Sequence, residues 1–334
     1  MGAPSSAYYR EQADGSVASA SGDTRHPVTL SDFCIAKYQV TNAQYAIFCD
    51  EAGASFRPAY WRNPEFDTEA KANHPVLYIS YRNAQAYCDW VASKTGWKVF
   101  IPSEAQWERA ARGLTETGSE NQYPWGNATA PDDYRTRLTY HGTLAMALGS
   151  EVVVNGNSYP YWPFAVSISR TALTVSNIKA LAYGEDDERT PDIDESSEPV
   201  QAIWKWMGRC GGYTTPVGSY APTAAGCYDM AGNAFEWTRD FYTNTYYIKL
   251  AEETVDPVVE DASVLTVADR KSGSDGSFGS AALTGQATKI IRGGSWYANE
   301  GSCQTHRRIE TRVAGTGGFN TVGFRIAALP IPQA

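Results

Sequence analysis

Apolar residues recur at helical spacing in three stretches of the first third of the chain. In TNAQYAIFCDEAG (41–53), Thr41 is placed to cap a helix and Gly53 to stop it. In RNAQAYCDWVASKTG (82–96), Ala86, Tyr87, Trp90 and Val91 share one face and Gly96 ends the run. In IPSEAQWERAARG (101–113), Ser103 and Gln106 have the spacing of a capping box, and Gly113 follows the last turn. Before them, FCIAKYQV (33–40) alternates weakly and predicts a strand.

Beyond YPWGN (123–127) the periodicity dissolves. Residues 128–212 contain the acidic run GEDDERTPDIDESSEP, and 243–288 contain KSGSDGSFGSAALTG. Both predict solvated insertions rather than core. No tandem repeat is visible. Early helices followed by short, aromatic, glycine-rich blocks predict an α+β fold. The expected organisation is a lead-in over 1–28, one domain over 29–327 interrupted by those insertions, and a tail over 328–334.

Composition narrows the classes of function. Twenty-eight basic residues against 37 acidic ones give a net charge of −9, and no basic stripe offsets it, which argues against a nucleic-acid partner. The 21 Tyr and 10 Trp residues are expected mostly in a core poor in regular structure, with a recognition surface as the sharper alternative. The cysteines (34, 49, 88, 210, 227 and 303) form no CxxC pair, and only four histidines are present, so a zinc site lacks a ligand pattern. Buried thiols are expected rather than a disulfide framework. The start, MGAPSSAYYREQADG, has no apolar stretch, so the sequence predicts neither a signal peptide nor a transmembrane segment.

Five blocks together are specific: HPVLYISYRNAQAYCDWVASKTG (74–96), IPSEAQWERAARG (101–113), YPWGN (123–127), PVGSYAPTAAGCYDMAGNAFEWTRDFY (216–242) and IIRGGSWY…VGFRIA (290–327). Their content and order resemble the formylglycine-generating enzymes, or sulfatase-modifying factors. The resemblance implies a variant of the C-type lectin fold, with two helices, a small twisted sheet and long loops presenting a C-terminal surface. It does not by itself imply catalysis, since one fold carries many functions.

In the oxidases of this family, one cysteine lies two residues after the RGGSW tryptophan and another five residues later, and the two hold copper(I). Counted from Trp296, these positions are Ala298 and Cys303. A methyl group neither ligates copper nor forms a disulfide, so no copper is expected and a copper-dependent formylglycine-generating oxidase becomes the alternative reading. The sulfoxide synthases that share this domain use histidines of an extra N-terminal helical domain, for which this sequence has no counterpart. In CYDMAGNAFEW the resemblance also implies a structural Ca²⁺, bound by side chains at Asp229 and Glu236 and by carbonyls at Gly232 and Ala234. The competing expectation is that the two acids only bond the loop's own amides.

Arg292, Gly293, Gly294, Ser295, Trp296, Arg308, Arg312, Gly323, Phe324 and Arg325 match the family and form a frame. Between them stand Tyr297, Ala298, Asn299, Glu300, Gly301, Gln304, Thr305, His306, Ile309, Glu310, Thr311, Gly315, Thr316, Phe319, Asn320 and Thr321. This mixture has the character of a paratope. It also resembles the variable proteins of diversity-generating retroelements, treponemal ones in particular, whose C-terminal block is mutated at adenine positions. That resemblance implies a non-catalytic binding protein whose residues 292–327 vary. Tyr297, His306, Ile309, Glu310 and Phe319 are then the leading contacts. The expected partner is an unidentified protein or other surface ligand, the expected state a monomer, and the expected location the cell surface or beyond, assuming a leader absent from this sequence.

Overall fold

In the computed structural model, the described residues are 28–64, 66–113, 121–126, 137–140, 211–243, 254–265, 287–312 and 318–329, with the backbone of a hairpin at 151–154 and 157–160. The predicted lead-in up to residue 27, the acidic run and most of both predicted insertions lie outside them.

All three predicted helices form, and local capping explains why. Helix α1 is Asn42–Ala52, α2 is Tyr81–Thr95 and α3 is Glu104–Arg112. Thr41 Oγ1 accepts from the Gln44 amide while Gln44 Oε1 accepts from the Thr41 amide, a reciprocal box that α3 repeats with Ser103 and Gln106. Each cap contributes about 1 kcal/mol. Gly53, Gly96 and Gly113 end the helices at positive φ (123°, 74° and 91°). The deepest face of α2 is Tyr81, Ala84, Tyr87 and Cys88. The predicted Ala86, Trp90 and Val91 flank it, half-buried against the same core.

Eleven short strands are described: β1 Val28–Thr29, β2 Cys34–Ile35, β3 Lys98–Phe100, β4 Glu151–Val154, β5 Asn157–Pro160, β6 Phe235–Phe241, β7 Thr254–Val255, β8 Thr288–Arg292, β9 Ile309–Arg312, β10 Val322–Gly323 and β11 Ala327–Leu329. The central sheet has the order β10-β6-β8-β9, parallel between β10 and β6 and antiparallel elsewhere. A second sheet, β2-β11-β3, is antiparallel. Pairs β1-β7 and β4-β5 complete the set.

The predicted strand over 33–40 is laddered only at Cys34–Ile35. The carbonyls of Ala36 and Lys37 accept from the Arg325 guanidinium, and Lys37 O also takes the Tyr228 amide, so they are diverted from a ladder. The core is aromatic, as expected. Tyr45, Phe48, Tyr87 and Phe324 pack with ring centroids 5.2–6.1 Å apart. The Trp237 indole donates to Ile79 O at 2.7 Å. Cys49, Cys88, Cys227 and Cys303 are buried free thiols and Cys34 is an exposed one, among the described residues.

Candidate functional site

Strand β8 delivers Arg292 to the interior, and Gly293 and Gly294 then turn the chain with φ of 94° and 78°. Glycine is required at 294 for space as well as for dihedral angle, since an added Cβ would overlap Cys303 Sγ. Trp296 follows, fully buried, its indole donating to Asn320 O at 2.9 Å. Asn299 Oδ1 accepts from the Ser302 amide at 2.8 Å and starts a 3₁₀ turn, Glu300–Cys303. That turn points Cys303 inward with no solvent exposure. Burial, and to a lesser degree the Glu300 carboxylate, pushes its thiol far above the ordinary range, so no thiolate is available at neutral pH.

Two acids of α3 hold this segment from below. Arg292 pairs with Glu104 at 3.2 Å and with Glu108, while its guanidinium donates to His306 O at 2.9 Å and Thr305 O at 3.0 Å. Arg308 donates to Glu104 Oε1 at 2.7 Å and to Thr243 O at 3.2 Å. On the other side, the Thr305 amide and hydroxyl donate to the carbonyls of Gln122 and Asn121, and the Tyr123 hydroxyl donates to Glu300 O.

The predicted contact residues therefore divide. Asn299 and Glu300 are exposed, and Tyr297, Gly301, Gln304, Ile309 and Phe319 are half-buried. Ile309 and Phe319 also pack against the core. Ala298, Thr305, His306, Asn320 and Thr321 are corrected from contact to frame, each at most 8% exposed. The carbonyls of Asn320, Thr321 and His306 are bonded to Trp296, Phe235 and Arg292. His306 is held neutral, its pKa lowered to about 4 mainly by burial. Glu310 and Thr311 lie on β9 opposite Ile290 and Lys289, in the sheet rather than in the loop. Gly315 and Thr316 lie outside the described residues.

Two contributors lie in or beside blocks that carry the resemblance but are not expected at the site. One is the 121–126 segment just described. The other is Tyr78, which holds φ at 58°, an expensive conformation for a bulky side chain. Its amide donates to Phe319 O at 3.0 Å, and its ring lies 5.2 Å from that of Tyr60. Gly318 passes so close to the Tyr78 backbone that any side chain there would collide.

Neither implied metal fits the residues present. Copper(I) would need two thiolates, and Ala298 with the sealed Cys303 supplies none. For Ca²⁺, Asp229, Ala234 and Glu236 are brought together around Gln39 Nε2, while Gly232 is placed by its amide bond to Gly293 O. However, Glu236 already accepts four bonds: from Arg325 Nε (2.6 Å) and Nη2 (2.8 Å), Trp107 Nε1 (2.7 Å) and Gln39 Nε2 (3.0 Å). Ala234 O accepts from Gln39 Nε2 at 2.8 Å. Asp229 turns Oδ2 to the Gly218 amide at 2.7 Å, and burial raises its pKa to about 6.

The chain belongs to the family described as the sulfatase-modifying factor enzyme 1-like domain, which matches residues 6–161 and 162–329. Among named relatives, it is similar to the formylglycine-generating enzyme of Thermomonospora curvata, 24% identical over 91% of this chain and 84% of that protein. The formylglycine-generating enzyme of Streptomyces coelicolor is likewise 24% identical, over 92% of this chain and 82% of that one. Among solved structures, Treponema denticola variable protein 1 shares the fold with a TM-score of 0.53 and 15% identity, covering 98% of this chain and 93% of that one.

Proposed function

We propose that this chain is a non-catalytic binding protein that uses a C-type lectin type of scaffold to present a C-terminal face. The observation that carries the reading is the pair of positions two and seven residues beyond Trp296. One is a methyl group, and the other is a thiol sealed beneath Gly294. A nucleophile or soft-metal ligand must reach its substrate as a thiolate, and this one has neither access nor charge.

The residues left wholly or partly open are Tyr297, Asn299, Glu300, Gly301 and Gln304, with Phe319 and Tyr78, themselves half-buried, bonded to each other. Tyrosine gives contact area at small entropic cost, and the amides supply adaptable hydrogen bonds. A specific protein ligand would cover roughly 800 Å² of such a face. Affinity would rest on a few aromatic anchors, with Tyr297 foremost. The proposed setting is a monomer displayed at the cell surface or outside the cell. A Treponema denticola protein of this fold is named a variable protein, which motivates a search for diversification. A near-copy of the DNA encoding residues 292–327 beside a reverse-transcriptase gene is expected, and its absence would remove diversification while leaving the binding reading intact.

The names of the bacterial relatives favour a second reading, the copper-dependent oxidation of cysteine to formylglycine in a peptide. Copper(I) titration with a competing chelator separates the two. The binding reading expects no stoichiometric site. Tight one-to-one binding that disappears in Cys303→Ser would overturn the binding-only reading in favour of the oxidase.

A further inference from the structure

The turn from Tyr228 to Glu236 is wound so that its oxygens face inward. Asp229, Gly232 and Asn233 all hold positive φ, at 55°, 76° and 64°. Three of the inward oxygens converge on one nitrogen. Gln39 Nε2 lies 2.8 Å from Ala234 O, 3.0 Å from Glu236 Oε1 and 3.5 Å from Asp229 O. An amide nitrogen has two hydrogens, whereas three oxygens on a common point make the surroundings of a small cation. Two buried acceptors have no donor among the described residues, Asp229 Oδ1 and Gln39 Oε1.

Charge decides what can occupy that point. The Arg325 guanidinium, fully buried, already balances Glu236 through two bonds. A divalent ion on the same carboxylate would face that guanidinium across a few ångströms of dry protein, where like charges repel strongly. Asp229 alone would be left to offset it, with its Oδ2 turned to Gly218.

We propose that the Gln39 amide stands where a hard divalent cation would sit, so that this chain holds its 228–236 turn by an internal donor and without calcium. Gln39 comes from the segment between β2 and α1, so the substitute also ties that segment to β6. Removing the amide reopens the oxygen cluster, and replacing it with a carboxylate adds the negative charge that a divalent ion needs.

The full chain is stripped with EDTA, and its Tm and heat of binding are followed as CaCl₂ is added, in the parent, in Gln39→Ala and in Gln39→Glu. The parent is expected to show no stoichiometric heat and the same Tm in EDTA and in calcium. Gln39→Glu, which adds the missing negative charge, is expected to gain a calcium-dependent rise in Tm that EDTA reverses. The glutamate variant keeps the side-chain shape and covers the case in which the alanine variant fails to fold. Stoichiometric calcium binding by the parent, or a loss of its Tm in EDTA, overturns the proposal. Calcium indifference in Gln39→Glu overturns it equally, because the point would then not be a latent cation site.

Discussion

Residues 296–306 have an inner and an outer set, and the two are built on different physics. The inner set, Trp296, Ala298, Cys303, Thr305 and His306, is closed to solvent and fixed by named bonds or by direct contact. The outer set, Tyr297, Asn299, Glu300, Gly301 and Gln304, shares the same short backbone but is wholly or partly open to solvent, with side-chain bonds from Asn299 to Ser302 and from Gln304 to Gln122 at its edges. One short loop thus combines positions sealed into the interior with positions left open to solvent. Composition could not show this, because polar residues such as Thr305 and His306 fall on the inner side.

The sharpest way to break the contrast is to remove what holds the inner set. Arg292→Met leaves Glu104 and Glu108 buried with one of two cations gone from each, Arg308 and Arg112 remaining. It removes the bonds to Thr305 O and His306 O as well, so it is expected to cost about 3 kcal/mol. Urea denaturation checks this, and a loss under ~1 kcal/mol would mean that the inner set is not held by charge.

A smaller effect comes from His306. Its pKa in the fold, about 4, lies below the ordinary 6.5 because burial disfavours the charged ring. As pH falls, the unfolded chain takes up the proton first. The stabilisation is full above about pH 6.5 and is lost progressively towards pH 4. The advantage of the parent over His306→Asn is therefore expected to shrink between pH 7 and pH 4.5. The raised carboxyl of Asp229 acts in the opposite sense but cancels in this difference. An advantage that stays constant across that range would show that His306 does not titrate this way.

The smallest effect belongs to the outer set. Glu300→Gln and Gln304→Ala are expected to change stability by no more than about 0.5 kcal/mol. Larger losses, read in the same urea titration, would erase the distinction between the two sets.

Much of the helical part was legible because its determinants are local. Thr41 with Gln44, and Ser103 with Gln106, sit three residues apart and bond each other. The sheet was not, because its pairings span the chain. Val322 and Gly323 pair with Phe235 and Glu236, and the partners of β2 lie at the far end in β11. The weak alternation over 33–40 does not reveal that Arg325 takes the carbonyls a strand would need. In the site, counting from Trp296 located both Ala298 and Cys303. Burial of Thr305 and His306 depends on Asn121, Gln122 and Arg292, and no pattern within 296–306 encodes those partners. The left-handed backbone of Tyr78 inside an apolar run gave no sign either.

Arg292 and Arg325 both spend their donors on main-chain carbonyls as well as on acids: Thr305 and His306 for the first, Ala36, Lys37 and Tyr228 for the second. Every amino acid carries that carbonyl. A grip of this kind recognises the path of the chain and is blind to its spelling, so these bonds stay in place whatever side chains stand at Tyr297, Glu300 and Gly301.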